Sequence, residues 1–491
     1  MNDDNRSSLS RGSLSRRQRE AWALRAAWAG LVIWLLAVVV QFQHGTMRRT
    51  SQGRQPTSAI SQTGAAESVV EPPEKSTKGA ISRWRKAVQG FWAGENIYLP
   101  VSQAVPGGVA LHPNMPFIVI LLTPLVHLPV WATTMVFNML KLSIIAAAVW
   151  VCARLGRGDS NGVPPWAIVL GMVWAVKPIV SDIQHGNTNI LVLGALVAHL
   201  WWYRRGWDLA SGGALALAVC LKLTPAMFLA YWLYQRNWKL LAGAAVAMVI
   251  FLAVVPSMLL GPARCGTLTQ TWWENLIRPG LIEGSWYPIH VNQSISGVMG
   301  RYLLDGPGGD IYWGPDDHPY PSQQEHGWIT LLALPGWGAK LVVRVLQLGI
   351  VAAMAWAIGW RKLPRDDPRR LPHYAMVVLA MMLLNQRTWE HHAAVGLIAG
   401  MGIWMMIFSG QAGAAGRRWA VGLAVAALVC LWGNGGAVST VAAWLAGRST
   451  EVGKDWADRL DAYGPTFYYF LLLFLASVVL ARSTRRAEPV W

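Results

Sequence analysis

Apolar runs of about 15–22 residues, closed by basic or tryptophan-rich turns, divide most of the chain. A run of that length crosses the hydrocarbon of a bilayer as a helix. The pattern predicts spans near residues 26–42, 131–152, 165–180, 189–203, 209–221, 226–234, 240–260, 340–360, 372–384, 392–408, 418–432 and 466–481. Two of these, 209–221 and 226–234, are too short for a straight crossing and predict a bent pair around Lys222. The stretch 114–129 is as apolar, but Pro116, Pro124 and Pro129 interrupt it. It reads as a re-entrant or interfacial piece, a shape tolerated where protein buries it. Residues 81–92 place apolar side chains at helical spacing, which suits an amphipathic helix on the membrane surface. The predicted class is an all-α polytopic membrane protein with about twelve transmembrane helices.

Composition agrees. Of 491 residues, 54% are hydrophobic and 14% charged, whereas soluble domains carry about 25% charged residues. The 29 Trp concentrate at the ends of runs, as interfacial aromatics do. A net charge of +17 invites a nucleic-acid reading. The Lys and Arg instead sit in short loops between runs, where they set orientation, so no nucleic-acid partner is expected.

With residues 1–25 as a basic cytoplasmic tail, every later basic loop falls on one side, and both termini are cytoplasmic. Arg48, Arg49 and Arg54 are the exceptions, and long loops cross despite their charge. No small-residue cleavage site follows the tail promptly, so it is not read as a signal peptide. The expected plan is a membrane domain over 26–481, outer loops at 43–111 and 261–338, and a cytoplasmic tail at 482–491. Cys152, Cys220, Cys265 and Cys430 have neither disulfide nor metal spacing.

This topology gathers the polar knots on the extracytoplasmic side. Asp182, Gln184, His185, Asn187 and Asn189 form one; Lys222 stands before Thr224-Pro225; HVNQSISGVMGRYL runs from His290 to Leu303; NQRTWEHH ends at His392. Each has a plain reading beside the functional one. Asp182 and His185 can cap helix ends, Lys222 can snorkel, Arg301 can be a surface charge, and His391 and His392 can start a helix. Polar groups beside hydrocarbon are costly unless they do something. No pair has the spacing of a metal site, and no phosphate loop or dinucleotide fingerprint is present, so no cofactor is expected. An anion would be held by Lys, Arg and helix N-termini.

The order of these motifs resembles glycosyltransferase family 87. The match lies in QHGNTNILVLGALVAHL, a basic turn RRG, then LKLTP, a QRNWK turn, the outer-loop NQS with a following Arg, and the late WEHH. ALHPNMPFIVILLTPLVHLP is similar to the family's proline-bearing stretch after the first loop. The resemblance covers about residues 87–408. It implies a C-type glycosyltransferase bundle, a polyprenyl-phosphate sugar donor such as the mannose form, and a lipid-linked or glycan acceptor. It also implies inverting hexosyl transfer outside the cytoplasm.

Such a reaction needs a base for the acceptor hydroxyl and cations for the leaving phosphate. The family places an Asp in the first outer loop, where this chain has KGAISRWRKAVQGFWAGENIY and no carboxylate at the matching spot near Ala80. Asp182 is then the first candidate base and Glu74 the second. Lys222, Arg301, His391, His392 and His185 are candidates for donor phosphate or sugar, and Asn187, Asn189, Asn292 and Gln293 for sugar hydroxyls or for holding the loops. The rival is a transporter or flippase for a lipid-linked or anionic sugar, with the proline-broken segments as gates. A membrane scaffold without ligand fits the buried-edge Lys, His and Asp least.

Overall fold

The structure is a computed structural model and describes residues 80–106, 108–156, 164–284, 286–305, 329–434 and 457–484. The expected span 26–42, the N-terminal tail, Glu74 and nearly all of the C-terminal tail lie outside the described residues. In chain order the helices are α1 (Ala80–Ala93), α2 (Pro116–Val126), α3 (Val130–Gly156), α4 (Pro165–His185), α5 (Asn189–Arg204), α6 (Asp208–Leu221), α7 (Ala226–Tyr234) and α8 (Trp238–Val249). They continue as α9 (Val255–Leu260), α10 (Pro262–Trp272), α11 (Ile295–Leu303), α12 (Gly336–Ile358), α13 (Arg370–Leu384), α14 (Leu397–Ser409), α15 (Ala414–Trp432) and α16 (Pro465–Ser483). A 3₁₀ turn, Glu390–Gly396, leads into α14. No strand occurs among the described residues; one isolated bridge joins Ala412 to Thr484.

Seven described helical segments are long and apolar enough to cross a membrane alone. This does not reach the twelve crossings expected. The difference lies in the span 26–42, outside the described residues, and in four short helices: α5 has 16 residues, α6 has 14, α7 has 9 and α13 has 15. At 1.5 Å per residue such pieces traverse half to four-fifths of the hydrocarbon. The expected span 240–260 is α8 and α9 joined through a π turn over Ile250–Val254. The proline-rich stretch forms α2, whose 11 residues include Pro124.

α14 is enclosed by its neighbours, while α12 turns a row of apolar side chains outward, including Leu341, Val345 and Leu348. α4 and α14 cross in close contact. A Cβ on Gly171 would lie 2.6 Å from the Met401 Cα, and one on Gly400 would lie 2.5 Å from the Gly171 carbonyl oxygen. Small residues that let membrane helices approach in this way recur at helix–helix interfaces.

Connectivity sorts the loops to two ends. At one end, Arg365 forks onto Asp208 at 2.7 and 2.8 Å. There Arg370 donates to the carbonyls of Leu363 and Pro364 and to the Tyr231 hydroxyl, its guanidinium over Tyr203 and Trp232. These basic loops are folded tightly onto α5 and α7. Burial opposes ionisation of Asp367 at this end, yet the Arg369 hydrogen bonds win and hold its carboxyl below the ordinary value.

At the other end α1 lies against α2, with the Trp92 indole donating to Thr123 at 2.8 Å and Arg85 to the Leu128 carbonyl at 2.6 Å. Asn96 bonds Thr271 and Asn275 bonds the Tyr98 carbonyl, so this platform continues into the α10 region. His112 is buried between Trp84 and Tyr98, and burial pushes it down to about 4, so it is neutral at physiological pH.

Candidate functional site

α4 runs further than its hydropathy predicts and ends at His185, so Asp182 stands in its last turn rather than in a loop. Gly186 caps it at φ 62°, a conformation cheap for glycine. The chain reverses there and α5 begins at once with Asn189. The tight return folds Asn189 onto Asp182: its backbone N–H and its side-chain amide donate to Oδ2 at 3.1 and 2.9 Å. From α3, Lys141 Nζ donates to Oδ1 at 2.7 Å and to the Asp182 carbonyl at 3.0 Å. Lys141 and Asp182 side chains are both 0% exposed. Both carboxylate oxygens are therefore committed, and the charge is matched within the protein interior.

The chain of contacts continues outward. α6 stops at Leu221, and Lys222 is extended at φ −161° before Thr224-Pro225. Proline disfavours helix in the residue before it, which helps keep the break open. The freed Lys222 ammonium donates to Asn189 Oδ1 at 2.8 Å. Lys222 also lies within electrostatic reach of Asp182 and His392. One ordered row thus joins Lys141, Asp182, Asn189 and Lys222. The Thr224 hydroxyl and the Trp389 indole N–H are buried with no hydrogen-bond partner among the described residues.

The 3₁₀ turn supplies the opposing wall. His391 stacks on His185 with centroids 5.2 Å apart, and His392 meets His391 edge-on at 4.7 Å. His392 is fully employed: Nδ1 accepts from the Trp389 N–H at 3.3 Å and the ring bonds the Arg387 carbonyl. Behind this wall Lys177 pairs with Glu390 at 3.3 Å, and Asn434 bridges both. Asn187 is half-buried, and its side chain makes no hydrogen bond among the described residues.

Arg301, Asn292 and Gln293 lie at the same end but act on backbone. Arg301 is fully buried and donates to the carbonyls of Ile289 at 2.6 Å, Asn292 at 2.9 Å and Ala462 at 2.8 Å. Burial pulls its guanidinium down to about 9, so it stays cationic at neutral pH. It is therefore no surface charge. Asn292 donates to the Tyr287 and Gln386 carbonyls and accepts from the Ser294 and Thr388 N–H groups. Gln293 ties the His290 and Asp461 carbonyls to the Phe467 N–H. These residues pin the outer loop to the 385–388 segment and to the start of α16. That is the loop-holding half of what the sequence suggested for the two amides.

Sequence reasoning passed over Lys141 and Lys177, each a single cation within an apolar run. That rarity is itself the signal that finds them. Among the described residues no group of three His, Cys, Asp or Glu is placed to hold a metal. What these elements gather is a cation at Lys222, the exposed His185 imidazole, the stacked His391 ring and the Asn187 amide, a set suited to an anionic, hydroxyl-rich ligand.

The sequence profile of glycosyltransferase family 87 matches residues 114–386. A polyprenol-phosphate-mannose-dependent alpha-(1-2)-phosphatidylinositol mannoside mannosyltransferase of Mycolicibacterium smegmatis is 27% identical over 282 residues, 55% of this chain and 54% of the relative. A protein of the same description from Mycobacterium tuberculosis is 25% identical over 170 residues, 30% of this chain and 39% of the relative. The chain thus matches about half, or less, of the length of these curated relatives. No solved structure matches it.

Proposed function

Because the chain belongs to glycosyltransferase family 87, we propose that this membrane protein moves a hexose, mannose by the relatives' example, from a polyprenyl-phosphate donor. The acceptor is a lipid-linked glycan, reached on the extracytoplasmic face, and the anomeric centre is inverted. The observation that carries this reading is the Lys222 ammonium held at 2.8 Å by Asn189, which Asp182 holds in turn. A sugar phosphate leaving as an anion needs a cation fixed in advance. Asn189 holds that cation in place, and Asp182 holds Asn189. The basic loops at the far end support a site that faces away from the cytosol.

Asp182 in the proton-accepting role would have to leave Lys141 and Asn189 first. In the arrangement described here it orients the cation instead. Glu74 is kept as the alternative carboxylate that the first outer loop could bring.

The test is transfer from radiolabelled polyprenyl-phosphate mannose to a membrane lipid extract, with wild-type and Lys222→Ala protein. Lys222→Ala is expected to lower kcat/KM by about 10- to 100-fold. No transfer by folded wild-type protein with any lipid-linked sugar would sink the reading. Flux of intact lipid-linked sugar across vesicles without a glycosylated product would favour a flippase instead.

A further inference from the structure

We propose that His185 is the general base that takes the proton of the acceptor hydroxyl, an inference that rests on the transfer reading above. The spot near Ala80, where the resemblance implies an Asp, carries no carboxylate in this chain, so the base is sought among the polar groups of the described residues. Asp182 is sealed from ligands with both oxygens bonded. Glu390 is turned to Lys177 and Asn434. His392 is buried and its ring bonds the Trp389 N–H and the Arg387 carbonyl.

His185 differs from all three. It is exposed at the end of α4. Its Nδ1 lies 2.7 Å from the Ser181 carbonyl oxygen. A carbonyl only accepts, so Nδ1 carries the proton, and in the neutral ring Nε2 is left with a lone pair. Nε2 has no hydrogen-bond partner among the described residues. The stacked His391 ring holds the imidazole plane, so the lone pair has a fixed direction. The groups that face it are Ser181 on its own helix and the stacked His391 on the facing turn; His391 in turn meets His392, which lies within electrostatic reach of Lys222, and Asp182 stands one turn back on α4.

The step balances simply. The acceptor O–H gives its proton to Nε2 while its oxygen bonds the anomeric carbon from the face opposite the phosphate. The carbon–oxygen bond to phosphate breaks, and its electron pair leaves on the polyprenyl phosphate, held by Lys222. The proton on His185 then passes to water at the exposed ring edge.

The experiment uses the full chain in detergent micelles with radiolabelled polyprenyl-phosphate mannose and a lipid-extract acceptor. His185→Ala should lower kcat by about 100-fold or more, leave the donor KM within about twofold, and leave the thermal midpoint unchanged. Added imidazole should restore turnover to His185→Ala, as no structural role would allow. Should His185→Ala fail to fold, His185→Gln keeps a donor for Ser181 and is measured in its place, with kcat expected to fall as far. Near-wild-type kcat in the folded variant, or no restoration by imidazole, overturns the inference. An inactive wild-type protein instead overturns the transfer reading beneath it.

Discussion

Lys141→Met is expected to destabilise the protein by about 3–5 kcal/mol and to abolish transfer. The substitution keeps the volume and the apolar stem but removes the ammonium bonded to Asp182 Oδ1. A carboxylate with 0% exposure would then stand uncompensated in the bundle. It must either stay charged at high cost or take up a proton. In the second case Oδ2 loses its charge-assisted bonds to Asn189, and Asn189 no longer holds Lys222 firmly. The double variant Lys141→Met/Asp182→Asn buries no charge and should recover most of the stability, because replacing both members of a buried pair is often near neutral. It should not recover transfer. Thermal unfolding in detergent compares the three proteins. Equal midpoints for the single and double variants would mean that Lys141 and Asp182 are not coupled.

Arg301→Met has the second largest expected effect, about 4 kcal/mol. The guanidinium is the shared donor for the carbonyls of Ile289 and Asn292 in one loop and of Ala462, far along the chain. Removing it leaves those acceptors buried with fewer donors. The loop around Asn292 and the segment before α16 would then part. Arg301→Lys should recover only a portion of the loss, since an ammonium lacks the planar fork that reaches several carbonyls at once. Limited proteolysis offers the check: cleavage within residues 286–294 should accelerate in Arg301→Met and much less in Arg301→Lys. Unchanged cleavage would show that this loop is held by something else.

Much of the fold was legible because hydropathy reports directly on burial in lipid. The ranges for α3, α5, α12 and α16 follow from apolar length and the basic turns that close it. α4 was drawn too short because Ser181, Asp182 and Gln184 look like a loop to a hydropathy scale. Nothing in the local sequence says that Lys141, some forty residues earlier, will neutralise Asp182. Arg301 was misread for a related reason: a lone Arg in a polar loop gives no sign that distant carbonyls will enclose it. Lys222, His185 and His391 stand out in the sequence, since each breaks an apolar pattern beside a proline, a glycine or a turn. Their mutual placement was not readable, because it depends on how α4, the α6–α7 break and the 390–396 turn meet in space.

The crossing of α4 and α14 at Gly171 and Gly400 has a further consequence. His185 rides on one of these helices, and His391 sits nine positions ahead of Gly400 at the head of the other. The spacing from each crossing point to its imidazole therefore behaves like the bitting of a key. A one-residue deletion between His391 and Gly400 would rotate the turn by about 100°, unstacking the two rings while the crossing itself stayed whole. Relatives descended from a common ancestor can exchange side chains along these segments, but they are expected to keep this interval free of insertions and deletions.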